Sequence, residues 1–451
     1  MRKNIPIIIA VVLNLLFAEN KVIYQQNFHP TYTLIREASN YPGDKPELTR
    51  RKYSDITVSS QPILFYDEHP SERLTDLIDG SKLVNETLTV ELWIKYHVNS
   101  AVGALATLRQ KNGDPYWLLG IHDEDAIFTV NTGENKYQLH SEMEYKEGYK
   151  EYWTHLVAVL DGKKIVLFNN GKKSDAIKMS GTIAEALSPC FEMAAYTKNE
   201  PYMKLNNMVK GIRISDYPLS KREVSQRYGE LKELVDNGIV YNDHFHYTAG
   251  PYLNYAQQTK INILWETDQP ARAIIKYGKT EEFGKTKVID DYKRKHEIQL
   301  SGLEPETRYF YKISSISTQS DEINSGTLTF FTAVDEETSF SFVAVGDTEG
   351  RPFINDKISD AIWGKRPNFV VMLGDLTDGG TKTHRYEWTH EYFTGVTQLA
   401  SRVPFFPVPG NGEDDLIWYN HYHYLPEPEG YYKFRYGNAE FFMINSNERK
   451  S

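Results

Sequence analysis

Three short apolar runs near the end of the chain, 339–345 (SFSFVAV), 369–373 (FVVML) and 403–408 (VPFFPV), each close in a tight polar turn: GDTEG at 346–350, GDLTDGG at 374–380 and PGNGE at 409–413. Runs of this length bounded by turn residues read as strands, and the stretches between them are long enough for helices over 355–363 and 384–393. The pattern is β-α-β-α-β. Such crossovers are right-handed and give a parallel sheet, whose ligand sites lie beyond the carboxyl ends of the strands. Asp347, Asp375 and Asn411 are therefore expected to meet on one edge.

Two carboxylates and an amide oxygen are hard donors that suit Mn, Mg, Fe or Zn. A carboxylate shared by two cations about 3.5 to 4 Å apart lets both polarise one phosphate and generate a hydroxide nucleophile. One Gly-Asp pair after a strand is an ordinary turn former. Three motifs in order, each at a strand end, favour the ligand reading.

On these motifs residues 338–451 resemble the N-terminal half of the calcineurin-like metallophosphoesterase domain, with its GDxH or GDxG, GDxxD or GDxxY, and GNHE signatures. The closing run YYKFRYGNAEFFMINSN, 431–447, is similar to the next strand pair of that family. The resemblance implies two divalent or trivalent metal ions (Fe, Zn or Mn) and a phosphate-ester substrate. Asp347 would bind the first metal, Asp375 would bridge, and Asn411 would bind the second, with Asp375 and Asn411 in the catalytic centre. Glu349, where some members carry a metal-binding His, is a further candidate ligand; a solvated loop carboxylate is the alternative.

The departures are equally specific. Gly412 stands where GNHE has its His, which predicts slow chemistry or a substitute proton donor, since positioned proton transfer is worth roughly 10²- to 10⁴-fold. Asp378 replaces the Tyr that colours purple acid phosphatases. The later His segments of the family do not occur before Ser451, so the expectation is a fragment, or a truncated and weak or inactive member. His421 and His423 in NHYHY, at i and i+2 of a strand, could ligate a metal or pack among the surrounding aromatics.

Net charge is −10, with 25% charged and 40% hydrophobic residues. That balance suits soluble domains and excludes general electrostatic binding to nucleic acid or anionic membrane. Residues 1–18 have the layout of a secretory signal, two cations and then an apolar run. The expected location is secreted or periplasmic, at the cell envelope, with no transmembrane span after cleavage. The single cysteine, Cys190, excludes an internal disulfide.

Between leader and phosphoesterase-like part, alternating runs such as LTVELWIKY (88–96), separated by Asp161-Gly162 and Asn169-Asn170-Gly171, indicate a β-sandwich with hairpin turns. The segments at 87–95, 153–172 and 209–224 resemble the laminin-G-like, concanavalin-A-like jelly roll. The resemblance implies glycan or cell-surface binding, with calcium as a candidate cofactor; a spacer is the alternative. A second β module over 246–334, with GPYLNY, LWETDQP and HEIQLSGLEPETRYFYKI, resembles the fibronectin-III-like N-terminal domain of purple acid phosphatases. The expected order is a leader (1–18), a jelly roll (19–228), a linker (229–245), the fibronectin-III-like domain (246–334) and a partial α/β metallophosphoesterase domain (338–451). The expected function is an exported metal-dependent phosphoesterase, acid-phosphatase-like, with an accessory jelly roll. The alternative is a catalytically degenerate carbohydrate- or surface-binding protein.

Overall fold

The computed structural model describes residues 21–27, 78–95, 101–110, 115–123, 125–143, 153–181, 183, 188–195, 209–239, 245–349, 352–378, 382, 384–428 and 430–447; the leader expected over 1–18 lies outside them. No helix among these residues is long and apolar enough to cross a membrane.

The first part is a sandwich of two antiparallel sheets. One sheet runs in the order β1 (Val22–Asn27), β11 (Val209–Ser215), β2 (Thr87–Lys95), β7 (Trp153–Asp161), β8 (Lys164–Asn169) and β9 (Lys172–Lys178). The other takes the order β10 (Pro189–Ala195), β3 (Ala101–Gln110), β4 (Pro115–Asp123), β5 (Asp125–Asn131) and β6 (Lys136–Glu142). Alternation puts Leu88, Val90, Leu92 and Ile94 of β2 into the core between the sheets, so Glu91 and Trp93 face the other way. Strand β7 is apolar on both faces for a reason. Leu156, Ala158 and Leu160 join that core, while Val157 and Val159 pack beneath helix α1 (Lys221–Asp236) with Val166, Phe168 and Val224. A capping box at Ser220 and Glu223 starts α1. Asn170 and Gly171, both with positive φ (48° and 75°), make the tight β8–β9 turn.

The second part begins with β12 (Tyr247–Asn254), β13 (Lys260–Gly278), β14 (Lys285–Ser301), β15 (Arg308–Ser317), β16 (Glu322–Asn324) and β17 (Leu328–Phe331). Strand β13 runs unbroken through residues 260–278, with a register shift against β14 between Glu266 and Ala271. The parallel strands β18 (Phe342–Val345), β19 (Phe369–Met372) and β20 (Phe405–Pro407) extend the same sheet, in the order β16-β15-β13-β12-β20-β19-β18. The join is a short parallel contact, Asn254 opposite Phe405, reinforced by the Asn254 side-chain amide donating to the Phe405 carbonyl at 3.3 Å. One hydrophobic core, containing Trp265, Tyr311, Phe369, Phe406 and Tyr436, spans both segments.

Helices cover the parallel strands: α2 (Pro352–Lys365), a turn α3 (Arg385–Glu387) that passes through a π-helical stretch (Trp388–Tyr392) into α4 (Phe393–Ala400), and α5 (Ile417–Tyr422). A hairpin of β21 (Tyr431–Tyr436) and β22 (Ala439–Ile444) closes the described chain.

A buried ionic cluster ties β13 to the helices. Glu266, 1% exposed, meets the guanidinium of Arg385 and accepts the Tyr422 hydroxyl at 2.8 Å. Burial by itself would raise Glu266, but the His421 hydrogen bond and the Arg385 and Arg294 charges bring it down to about 2. The jelly roll meets the same region, with Trp153 edge-on to Tyr386 at 5.9 Å and Thr389 Oγ1 donating to the Gly238 carbonyl at 3.0 Å.

His421 and His423, weighed as strand-borne metal ligands, do not act together. The segment is helical through Tyr422, and the two rings have different neighbours. His421 lies 3.9 Å from Glu266, whereas His423 is buried between Tyr419 and Trp388. Burial lowers His423 to about 3, and His296, stacked on Trp265 at 4.8 Å, to about 4.

Both histidines are thus neutral in the folded protein near pH 5, while an unfolded chain protonates them near the ordinary value of 6.5. The unfolded state then binds more protons, so stability is full above about pH 6.5 and falls towards pH 4, by at most about 1.4 kcal/mol per pH unit for each histidine. Urea unfolding at pH 7 and pH 5 should show this loss, and His423→Phe should reduce it. A loss of the same size in the variant would contradict the assignment to His423.

Candidate metal centre

The three strand-end motifs are brought together by continuation of the ladder beyond the strands. The parallel register pairs Val345 with Met372 and Met372 with Pro407, so β18, β19 and β20 end level. The Leu373 amide donates to Val345 (2.7 Å) and the Asp347 amide to Gly374 (3.0 Å). On the other side the Val408 amide donates to Met372 (2.9 Å), and the Glu349 amide reaches back to the Asp375 carbonyl (3.1 Å). Asp375 therefore follows the central strand, with Asp347 after one neighbour and Asn411 after the other.

Three acidic residues in these turns have left-handed backbones: Asp347 (φ 60°), Glu349 (40°) and Asp375 (50°). A non-glycine residue in that region costs of order 1–3 kcal/mol and persists only when its surroundings enforce it; such positions cluster at functional sites. Asp347 and Asn411 are exposed, and Asp375, Glu349 and Asp378 are half-buried.

What enforces the geometry is Glu413, a residue to which the motif itself gave no role. Its carboxylate is fully buried and accepts four backbone N–H groups: Leu376 (2.6 Å) and Thr377 (3.2 Å) on Oε1, Gly410 (2.6 Å) and Asp375 (3.1 Å) on Oε2. One side chain thus ties the turn that carries Asp375 to the turn that carries Asn411. Burial pushes Glu413 up to about 7, opposed by the amides of Gly410, Thr377 and Leu376 and assisted by the nearby Asp375 charge. The available signal in the sequence was an acid three residues after a glycine, beside turns rich in unpaired amides.

Gly412 completes the contact by donating its N–H to Asp375 Oδ1 at 2.7 Å. A Cβ here would stand 2.3 Å from the Thr377 carbonyl oxygen. The backbone has closed over the place where the signature His would start, so the site is shaped around glycine.

The donors fit a hard cation in kind: Asp375 keeps one carboxylate oxygen outside the Gly412 bond, and Asp347 and Asn411 flank it with a carboxylate and an amide oxygen. Among the described residues no group of three or more His, Cys, Asp or Glu side chains is placed to hold a metal, in the jelly roll or at the strand ends. Glu349 joins the turn through its backbone.

Residues 340–448 match the family of calcineurin-like phosphoesterases, and residues 74–225 match the concanavalin A-like lectin/glucanases superfamily. The chain thus carries a phosphoesterase-family domain behind a jelly-roll domain. No curated protein matches the sequence. Solved structures similar to it include the CBM40 of the Ruminococcus gnavus IT-sialidase bound to α2,3-sialyllactose, with 15% identity over 33% of this chain and 86% of that one and a TM-score of 0.28. Another is domain 4 of AbnA, a GH43 extracellular arabinanase from Geobacillus stearothermophilus, in complex with arabinotriose, with 15% identity, coverage of 34% and 68% and a TM-score of 0.26. The binding domain of botulinum neurotoxin DC in complex with SialylT gives 12% identity, coverage of 52% and 58% and a TM-score of 0.27. Likenesses this shallow carry no statement about ligand.

Two variants probe the geometry. Glu413→Gln places an NH₂ group among N–H donors, and it should lower Mn²⁺ affinity at least tenfold while far-UV circular dichroism is retained; unchanged affinity would remove Glu413 from its positioning role. Gly412→His should lower the melting temperature and leave phosphatase turnover no higher, because its Cβ collides with the Thr377 carbonyl. A faster and equally stable variant would show that the turn can open for the ring.

Proposed function

We propose that the chain is an exported metal-dependent phosphoesterase of the acid-phosphatase-like kind, preceded by a fibronectin-III-like module over 246–334 and an accessory jelly roll that holds it to glycans or a cell surface. The observation that carries the reading is the placing of Asp375 after the central strand, between Asp347 and Asn411, with its turn fixed by Glu413. In this proposal Asp347, Asp375 and Asn411 are the residues that would hold two cations of Fe, Zn or Mn type. Bound there, they would supply Lewis-acid polarisation of a phosphate ester and a lowered pKa for attacking water. The protein's own part is positional: Gly412 N–H orients Asp375 Oδ1, and Glu413 keeps both turns at a fixed separation. Asp375→Ala should abolish both metal uptake and hydrolysis of p-nitrophenyl phosphate and bis-p-nitrophenyl phosphate; retained hydrolysis would sink the assignment.

A second reading is supported by Gly412, where neither a His nor room for one is present. In it the phosphoesterase-like part has lost its chemistry and the jelly roll makes the chain a binding protein. Glycan capture on an array, by a protein that takes up no stoichiometric metal and hydrolyses neither ester, would favour that reading over the enzyme.

A further inference from the structure

The outward face of the first sheet of the jelly roll carries a built cleft. Gln25 of β1, Arg213 of β11 and Glu91 of β2 are direct cross-strand neighbours and form one row across three strands. In the next row Gly211 lies opposite Trp93. A glycine beside an indole leaves a depression, and α1 roofs it with Arg227, Glu230, Leu231 and Leu234. The cleft measures about 200 Å³.

Its charges are not equally satisfied. Glu91 is held at both oxygens, by His155 Nε2 at 2.8 Å and by Arg227 Nη1 at 2.6 Å. Glu230, on the rim, accepts from Gln226 at 2.9 Å. Arg213 is half-buried, its Nε is shielded from solvent without a hydrogen-bond partner, and it forms no ion pair among the described residues. Trp93 stacks on His155 at 5.3 Å, and its Nε1 is likewise buried and unpartnered. Arg227 is engaged by Glu91, so Arg213 is a guanidinium of this lining with no carboxylate partner among the described residues.

We propose that this cleft binds an acidic sugar, a single pyranose unit bearing a carboxylate. The planar guanidinium of Arg213 matches a carboxylate in geometry. Trp93, Leu231 and Leu234 offer apolar surface for the carbon face of a sugar ring, and Gln25 and Glu230 offer partners for hydroxyls. The cleft is smaller than the roughly 300 Å³ at which pockets for larger ligands begin, which limits it to about one ring. The proposal rests on the carbohydrate-binding reading of the jelly roll and deepens it by naming the site and the ligand's charge.

The test uses the full chain and two glycosides differing only in the carboxylate, methyl α-D-glucopyranosiduronic acid and methyl α-D-glucopyranoside, followed by calorimetry and tryptophan fluorescence. The acid should bind and shift the emission, the neutral glycoside should bind at least tenfold more weakly, and Arg213→Ala should lose at least tenfold for the acid with an unchanged melting temperature. Three results would overturn the proposal: no binding of the acid at millimolar concentration, binding that Arg213→Ala leaves intact, or displacement by acetate as efficient as by the uronide. Capture of neutral glycans on an array, equal in wild type and Arg213→Ala, would overturn this site while the jelly roll's wider glycan-binding role stood. No capture of any glycan would overturn both.

Discussion

The contact on which the site depends is the Glu413 carboxylate and its four backbone N–H groups. Turns that follow parallel strands expose amides with no ladder partner, and buried amides left unpaired are costly. Here a single carboxylate from the third turn satisfies amides of the second and of its own. The left-handed conformation of Asp375, which would be unfavourable in a free loop, becomes the one in which its amide and those of its two successors point at one acceptor. Strain at the candidate ligand and burial of the glutamate are two sides of the same arrangement.

The platform beneath is held at a larger scale by shared core and buried charge. The sheet crosses from the antiparallel module into the parallel strands through a narrow junction at Asn254 and Phe405, which alone would be a weak hinge. The side chains around it supply what the backbone does not. Tyr419 and Tyr432 both donate to the Pro407 carbonyl, at 3.0 and 2.7 Å, at the end of the strand that leads to Asn411. Glu266, Arg385 and Tyr422 join the long strand of the antiparallel module to the helices beside that strand. Removing one partner of such a buried cluster leaves an uncompensated charge, typically about 3–5 kcal/mol, so the cluster is an energetic link between the two modules.

Much of this was legible in the sequence. The alternation at 88–96, the Asn170-Gly171 turn and the three apolar runs ending in Gly-Asp or Gly-Asn report local geometry directly, and the matching strands and turn followed. The parallel strands that precede Asp347, Asp375 and Asn411 follow from the β-α-β-α-β pattern, which puts the three turns at one end of the sheet. What the sequence concealed depends on long-range contacts. Nothing local shows that Glu413 turns inward to collect amides, or that the backbone of Gly412 lies against Thr377. The histidines of NHYHY look like ligands by spacing, yet one joins the Glu266 cluster and the other is an unprotonated core ring. The Trp93 cleft escaped notice because its parts, Gln25, Glu91, Arg213 and Arg227, lie far apart in the chain and align only through sheet register.

The central claim is that the strand-end turns form a cation site organised around Asp375. The most direct measurement is an anomalous difference map from crystals of the full chain equilibrated with Mn²⁺. The account predicts a peak within coordination distance of the Asp375 carboxylate, flanked by Asp347 or Asn411. Ordered Mn²⁺ elsewhere, or none at these turns under saturating metal, would contradict it.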